Sequence, residues 1–186
     1  MSNRRVLPVI PLSEAPGART SWSKPAIVIA LWILAEYFMV TNPLQLSSRI
    51  RSMALKAFGA KIGDNVILRP RLRVKYPWNL EIGDNSWIGE GVWIHNQEKV
   101  TVMNDVCISQ ETFITTGTHN FKTDMGLRLS PVRIEAGVWV CSRSIITCGS
   151  VIRESALIPA GSVVSGEVAS GTIFSRGSST PKQRFN

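Results

Sequence analysis

From Ile62 onward an aliphatic side chain returns every sixth residue: Ile62, Leu68, Val74; Ile82, Ile88, Ile94; Val102, Ile108, Ile114; Ile134, Val140, Ile146; Ile152, Ile158, Val164. The residue four places further on is Ser, Thr, Ala or Val in twelve of the fifteen repeats, with Leu72, Trp78 and Glu98 as exceptions. A large aliphatic followed by a small side chain suits a narrow prism whose short strands meet at tight corners. Three sixes make one eighteen-residue coil, and the pattern predicts five coils: 62–79, 82–99, 102–119, 134–151 and 152–169. Two-residue slips fall at 80–81 and 100–101, and a fourteen-residue insertion at 120–133. Each coil buries its neighbours' aliphatics, so stability is a sum of nearest-neighbour contacts. An all-β sandwich is the competing reading, but it gives no reason for a period of six.

Glycine or a short polar residue often follows the aliphatic, as at Gly63, Gly83, Gly89, Ser109, Ser142 and Ser165. Such residues are expected to ease backbone bends.

A different pattern precedes the repeats. Residues 1–24 are polar and contain Pro8, Pro11 and Pro16, which suggests a flexible basic arm without the layout of a signal peptide. Ala26 to Val40 is apolar on every face except for Glu36. At fifteen residues it falls short of the roughly twenty needed to span a bilayer as a helix. Packing against the prism or a neighbouring chain, contact with a membrane surface through residues 25–40, and true spanning all stay open here. Asn42-Pro43 ends the segment, Ser47 or Ser48 can cap a second helix, and Gly59 can stop it. Ile50, Met53, Ala54, Ala57 and Phe58 share one face of that helix at helical spacing. The domain reading is an arm at 1–24, a helical segment at 25–60, the repeat domain at 61–170 and a basic tail at 171–186.

The blocks Ile82-Gly83-Asp84-Asn85, Ile88-Gly89-Glu90-Gly91 and Ala160-Gly161-Ser162-Val163-Val164 resemble the hexapeptide-repeat acyltransferases. With the front portion and Tyr76-Pro77-Trp78-Asn79-Leu80, the similarity is greatest to the branch that acetylates colanic acid and other exopolysaccharides. This resemblance implies an all-β, left-handed parallel β-helix working as a homotrimer. It also implies acetyl-coenzyme A as acyl donor and a sugar or glycan acceptor. The hand comes from the resemblance alone, since parallel crossovers are otherwise right-handed.

The chain has 186 residues and a formal net charge of +8. A basic surface attracts phosphates and anionic lipid heads. No nucleic-acid-binding signature is present, so no nucleic-acid partner is expected. Cys107, Cys141 and Cys148 are odd in number and lack CxxC spacing. That favours a reducing compartment, the cytoplasm, with the inner membrane face as a place of peripheral contact.

The chain's two histidines are His95 and His119. His119 ends the third coil just before the long insertion, after Thr118, which the repeat places inward. Insertions on one side of a repeat array commonly mark the binding face. An imidazole titrates near neutrality and can take the proton of an attacking hydroxyl. The resemblance makes His119 the general base and puts an oxyanion-binding amide near Ser142, one coil along in space. It also implies Trp139, Cys141 and Ala160 along the coenzyme, with Lys182 and Arg184 near its phosphates. Trp139-Val140-Cys141 stands where Trp-Ile-Gly is the family pattern, so the slot is expected to shift. His95, Asn96 and Gln97, one coil earlier, are expected to face the same cleft and bind acceptor hydroxyls, with Asn120, Thr123 and Asp124 from the insertion. A zinc enzyme of the same fold would need three histidine ligands around a metal, and no metal site is expected. A non-catalytic trimeric scaffold on the envelope or membrane is the remaining alternative.

Overall fold

The structure, a computed structural model, describes residues 9–16 and 23–175 and the backbone of a final strand, Lys182–Gln183. The repeat region winds into a three-faced parallel β-solenoid. Its first face stacks Lys61–Ile62, Leu80–Ile82, Val100–Val102, Val132–Ile134, Val151–Ile152 and Glu167–Val168. The second face stacks Ile67–Leu68, Trp87–Ile88, Cys107–Ile108, Trp139–Val140, Leu157–Ile158 and Thr172–Ile173. The third stacks Arg73–Val74, Trp93–His95, Phe113–Thr115, Ile145–Ile146 and Val163–Val164. The five expected coils are therefore followed by a partial sixth, because Val168 pairs with Ile152 and opens a further turn. Lys182–Gln183 then runs antiparallel to Thr172–Ile173.

All fifteen period-six aliphatics are buried and form the axial core. Eleven of the fifteen repeats share a second rule at their corners. The residue three places after the aliphatic has positive φ at Asn65, Arg71, Asn85, Gly91, Asp105, Glu111, Gly137, Arg143, Gly149, Ser155 and Gly161. The bend thus sits at the fourth place of the six, not at the second-place glycines. Those glycines serve another purpose. A Cβ on Gly63 would lie 2.2 Å from the Asp84 carboxylate, and one on Gly83 2.2 Å from the Asn104 side-chain oxygen. They let Asp84 and Asn104 reach down and accept the backbone N–H groups of Asp64 and Asp84 at 2.8 and 3.0 Å.

The open N-terminal end of a solenoid exposes a row of unpaired strand groups. Here two helices cover it: α1, Ala26–Ala35, which continues as a π-helical stretch Glu36–Thr41, and α2, Ser48–Ala57. Trp32 Nε1 donates to the Val74 carbonyl at 2.9 Å, and the Glu36 carboxylate accepts the Val74 N–H at 2.6 Å. Thr41 donates to Leu72 O, and Ser48 Oγ both donates to Val66 O and accepts from Leu68 N. Arg51, fully buried, donates to the carbonyls of Val40, Leu68 and Gln45. Ser47 is the N-cap of α2, accepting from Ile50 N, and Gly59 follows its end with φ +96°. The buried face of α2 is Arg51, Ala54 and Leu55, whereas Ile50 and Met53 point outward, contrary to the helical-spacing reading.

The three faces differ in chemistry. The first carries a polar ladder: Glu81 pairs with Lys61 and Lys99, Glu135 with Arg133 and Arg153, and Arg153 with Glu167. The second presents a continuous apolar row, Ile67, Trp87, Cys107, Trp139, Leu157 and Ile173. The third presents Trp93, Phe113, Ile145 and Val163 in register, with the Arg73 guanidinium 4.1 Å from the centre of the Trp93 ring.

Candidate active site

The insertion is a hairpin rather than a plain loop. Gly117–His119 pairs antiparallel with Leu127–Leu129, and the chain rejoins the first face at Val132. At this corner the inward place comes two residues early in each of the first three coils, at Tyr76, Asn96 and Thr116. Thr118 is exposed, and Thr116 takes the inward place at the corner instead. His119 ends the outgoing strand with its ring exposed.

The tight turn fixes the ring. Asn120 bonds through its backbone to Gly126, Thr123 and Met125, and its side chain reaches Thr123 Oγ1. Asp124 accepts from the Gly126 N–H at 2.9 Å and from the Thr123 hydroxyl. These two bonds hold the Asp124 carboxyl below the usual carboxylate range. Met125, at φ +56°, turns its carbonyl onto His119 Nδ1 at 2.8 Å. A carbonyl can only accept, so Nδ1 carries a proton, and the basic nitrogen of the neutral ring is Nε2. Asn120 thus acts inside the turn that orients His119.

Ser142 occupies the corner between the second and third faces. Its hydroxyl donates to Gln110 Oε1 at 3.0 Å, and its carbonyl accepts from Gly161 N. Among the described residues no acceptor meets its backbone N–H, so that amide is available at the surface. Ala160 lies beside it in an open groove of about 580 Å³ lined also by Gln110, Glu111, Arg143 and Gly161. Trp139 is 43% exposed on the second face, and its Nε1 donates to Ser109 Oγ. The backbone N–H of Cys141, on the next corner residue, donates to Ile158 O. Lys182 is described in its backbone alone, and Arg184 lies outside the described residues.

The structure does not place His119 and Ser142 one coil apart at a single edge. Chain enters the third face just after Ser142, at Ile145, and leaves it after Thr115, where the His119 hairpin begins. The two positions flank opposite ends of the same face, more than about 10 Å apart along the strand direction.

Asn96 is not an acceptor ligand. It is fully buried, accepts from Tyr76 N at 3.0 Å and donates to Tyr76 O at 2.6 Å. Inward polar groups at this corner satisfy backbone, as Thr116 does for Glu98 N. Gln97 is buried too, and its carbonyl accepts from Asn79 Nδ2. His95 is half-buried on the third face, paired with Thr115 and therefore near the His119 edge. Lys75 Nζ donates to its Nε2 at 3.1 Å, and the Trp93 ring meets it edge-on at 5.6 Å. Burial and then the Lys75 charge lower its pKa, keeping the ring neutral. The sequence reading missed Met125, Gln110 and Lys75, and it offered Asp124 as an acceptor ligand rather than as part of the turn that orients His119. Gln110 alone carried a signal, since it shares the third place of its six with Ser142.

Among the described residues no group of three or more His, Cys, Asp or Glu side chains could hold a metal ion. The three cysteines are free thiols.

No family profile matches the chain. WcaF of Escherichia coli, an acetyltransferase assigned by name to colanic acid biosynthesis, is 30% identical over 140 residues, covering 75% of this chain and 77% of WcaF. The chain belongs to the hexapeptide-repeat acetyltransferases. A hexapeptide-repeat acetyltransferase from Vibrio cholerae, solved with acetyl coenzyme A, shares the fold at TM-score 0.71 and 18% identity, over 78% of this chain and 80% of that one. A galactoside acetyltransferase solved with coenzyme A superposes at TM-score 0.69 and 22% identity, over 78% of this chain and 74% of that one. In this hexapeptide-repeat acetyltransferase the His119 ring sits on the hairpin, and the Ser142 corner lies across the third face.

Proposed function

We propose that the protein transfers the acetyl group of acetyl coenzyme A to a sugar hydroxyl of an exopolysaccharide or other cell-surface glycan precursor. The observation that carries this reading is the His119 ring, whose Nδ1–H is fixed by Met125 O so that Nε2 faces out as a base. Nε2 takes the acceptor hydroxyl's proton as its oxygen attacks the thioester carbonyl. The oxyanion forms within reach of the Ser142 N–H. The carbon–sulfur bond then breaks, and the protonated ring returns its proton to the departing thiolate. No covalent acyl-enzyme is required.

Base and oxyanion donor must both lie within about 3 Å of the reacting groups. A face-width between His119 and Ser142 is too far, so the site is built from two chains. A homotrimer supplies this, with the apolar second and third faces covered between chains and the charged first face left to water. The groove past Ser142 and Ala160 suits a thin pantetheine arm, with Trp139 and Cys141 beside it and Lys182 and Arg184 toward the phosphates. His95, neutral beside Lys75, is the acceptor-side candidate. A cytoplasmic setting fits the coenzyme and the free thiols.

The test is release of coenzyme A thiol, with mass analysis of product, from acetyl coenzyme A and a panel of glycan acceptors. Acetylated sugar is expected, and His119→Ala is expected to lower turnover by about 10²–10⁴-fold. Unchanged turnover in His119→Ala would remove the base assignment.

A further inference from the structure

We propose that the helical cap over the N-terminal end of the solenoid is a docking surface for an anionic lipid bilayer, lying in the headgroup region rather than crossing it. A surface helix normally turns polar residues to water. α1 does not. Ile29, Trp32 and Val40 face the solenoid, while Ile27, Leu31, Leu34, Tyr37 and Phe38 stand exposed on the other side. Leu44, Leu46 and Met53 extend this apolar surface along the connection and α2. A patch this continuous on one end of the molecule is a contact surface.

Charge identifies the occupant. Between residues 23 and 60 the exposed charged side chains are Lys24, Arg49 and Lys56, all cationic. Glu36, the acidic residue of the segment, is turned inward onto Val74 N, and Arg51 is buried. Apolar side chains flanked by cations suit the boundary between acyl chains and anionic headgroups. A protein partner fits less well. Protein interfaces carry about one hydrogen bond per 100–200 Å², and the outer side of α1 offers the Tyr37 hydroxyl as its polar group.

The geometry excludes insertion across the bilayer. Among the described residues no helix is long and apolar enough to cross a membrane. The segment is also fastened to the first coil through Trp32, Glu36 and Thr41. It therefore meets a membrane lengthwise. In the three-fold assembly proposed above, the parallel prisms put all three caps at one end, so three weak contacts act together. That multiplication rests on the trimer; the surface itself does not rest on the transfer reaction.

The full-length protein is sedimented with vesicles of phosphatidylcholine alone or mixed with phosphatidylglycerol, and its mass in solution is measured in parallel. Binding to the mixed vesicles is expected to be at least about tenfold stronger and to weaken with salt. Leu34→Glu with Phe38→Glu, both exposed positions, is expected to lose that binding at least about tenfold with the thermal melt and mass unchanged. Arg49→Glu with Lys56→Glu is expected to lose the preference for the anionic lipid. No binding to either vesicle, or binding unchanged by the Leu34 and Phe38 substitutions, overturns the proposal. So does a larger wild-type assembly that those substitutions break without any vesicle binding, which would make a second copy the occupant. Acetyl transfer, measured separately, does not enter this result.

Discussion

The Nδ1 atom of His119 lies 2.8 Å from the carbonyl oxygen of Met125, six residues on across one tight hairpin turn. That turn is held by Asp124, which accepts from Gly126 N and Thr123 Oγ1. Removing the carboxylate leaves the imidazole in place but frees the carbonyl that orients it. Asp124→Ala is expected to lower kcat about tenfold or more, with KM for acetyl coenzyme A little changed. Asp124→Asn keeps an acceptor and is expected to recover much of the loss. Steady-state kinetics on both variants check this.

The two glycine classes make opposite demands. A Cβ at Gly83 would meet Asn104 Oδ1 at 2.2 Å and Asn104 N at 2.8 Å, whereas one at Gly161 meets nothing within 4 Å but sits at φ +71°. Prying two coils apart costs more than one left-handed residue. Gly83→Ala is expected to destabilise by about 2–3 kcal/mol and Gly161→Ala by about 1 kcal/mol. Urea unfolding of both variants tests that order.

Arg51 closes the solenoid's open end with three backbone carbonyls and no exposed atoms. Arg51→Ala strands those carbonyls and is expected to cost about 3–5 kcal/mol. Arg51→Lys keeps the charge but not the fork and is expected to recover less than half. Chemical denaturation gives both values.

His95 is held neutral by burial and by Lys75. Its folded pKa lies below the ordinary histidine value of about 6.5. Its contribution to stability is therefore full above that value and is lost as pH falls through the depressed one. Ring-proton titration by NMR, assigned with His95→Gln, is expected to show the low midpoint. Lys75→Met is expected to raise it part of the way, because burial remains.

The sequence made the core legible because every one of its fifteen period-six aliphatics has the same job, filling the axis of the prism. The corners were harder to read. Their left-handed residues include Arg71, Glu111, Arg143 and Ser155, types that do not announce such a conformation. The capping bonds from Trp32, Glu36 and Arg51 are single contacts without period, so no pattern could disclose them. His119 stood out as a lone histidine beside a break in the rhythm. Asn96 looked equally functional, but its amide bonds both the N–H and the carbonyl of Tyr76, and Thr118 was read inward although at this corner of the first three coils the inward place comes two residues early, at Tyr76, Asn96 and Thr116.

The central claim is that one chain's His119 works with another chain's Ser142. Ser142→Pro deletes the amide hydrogen, and the fold accepts it, because Pro70 holds the equivalent corner in the first coil with the same bond, Gly91 N to Pro70 O. His119→Ala and Ser142→Pro chains, each inactive alone, are unfolded together in equal amounts, refolded, and assayed for acetyl transfer. Random mixing into a cyclic trimer pairs an intact His119 with an intact Ser142 at about one site in four, so about a quarter of wild-type activity is predicted. A mixture no more active than its parents would contradict the shared site.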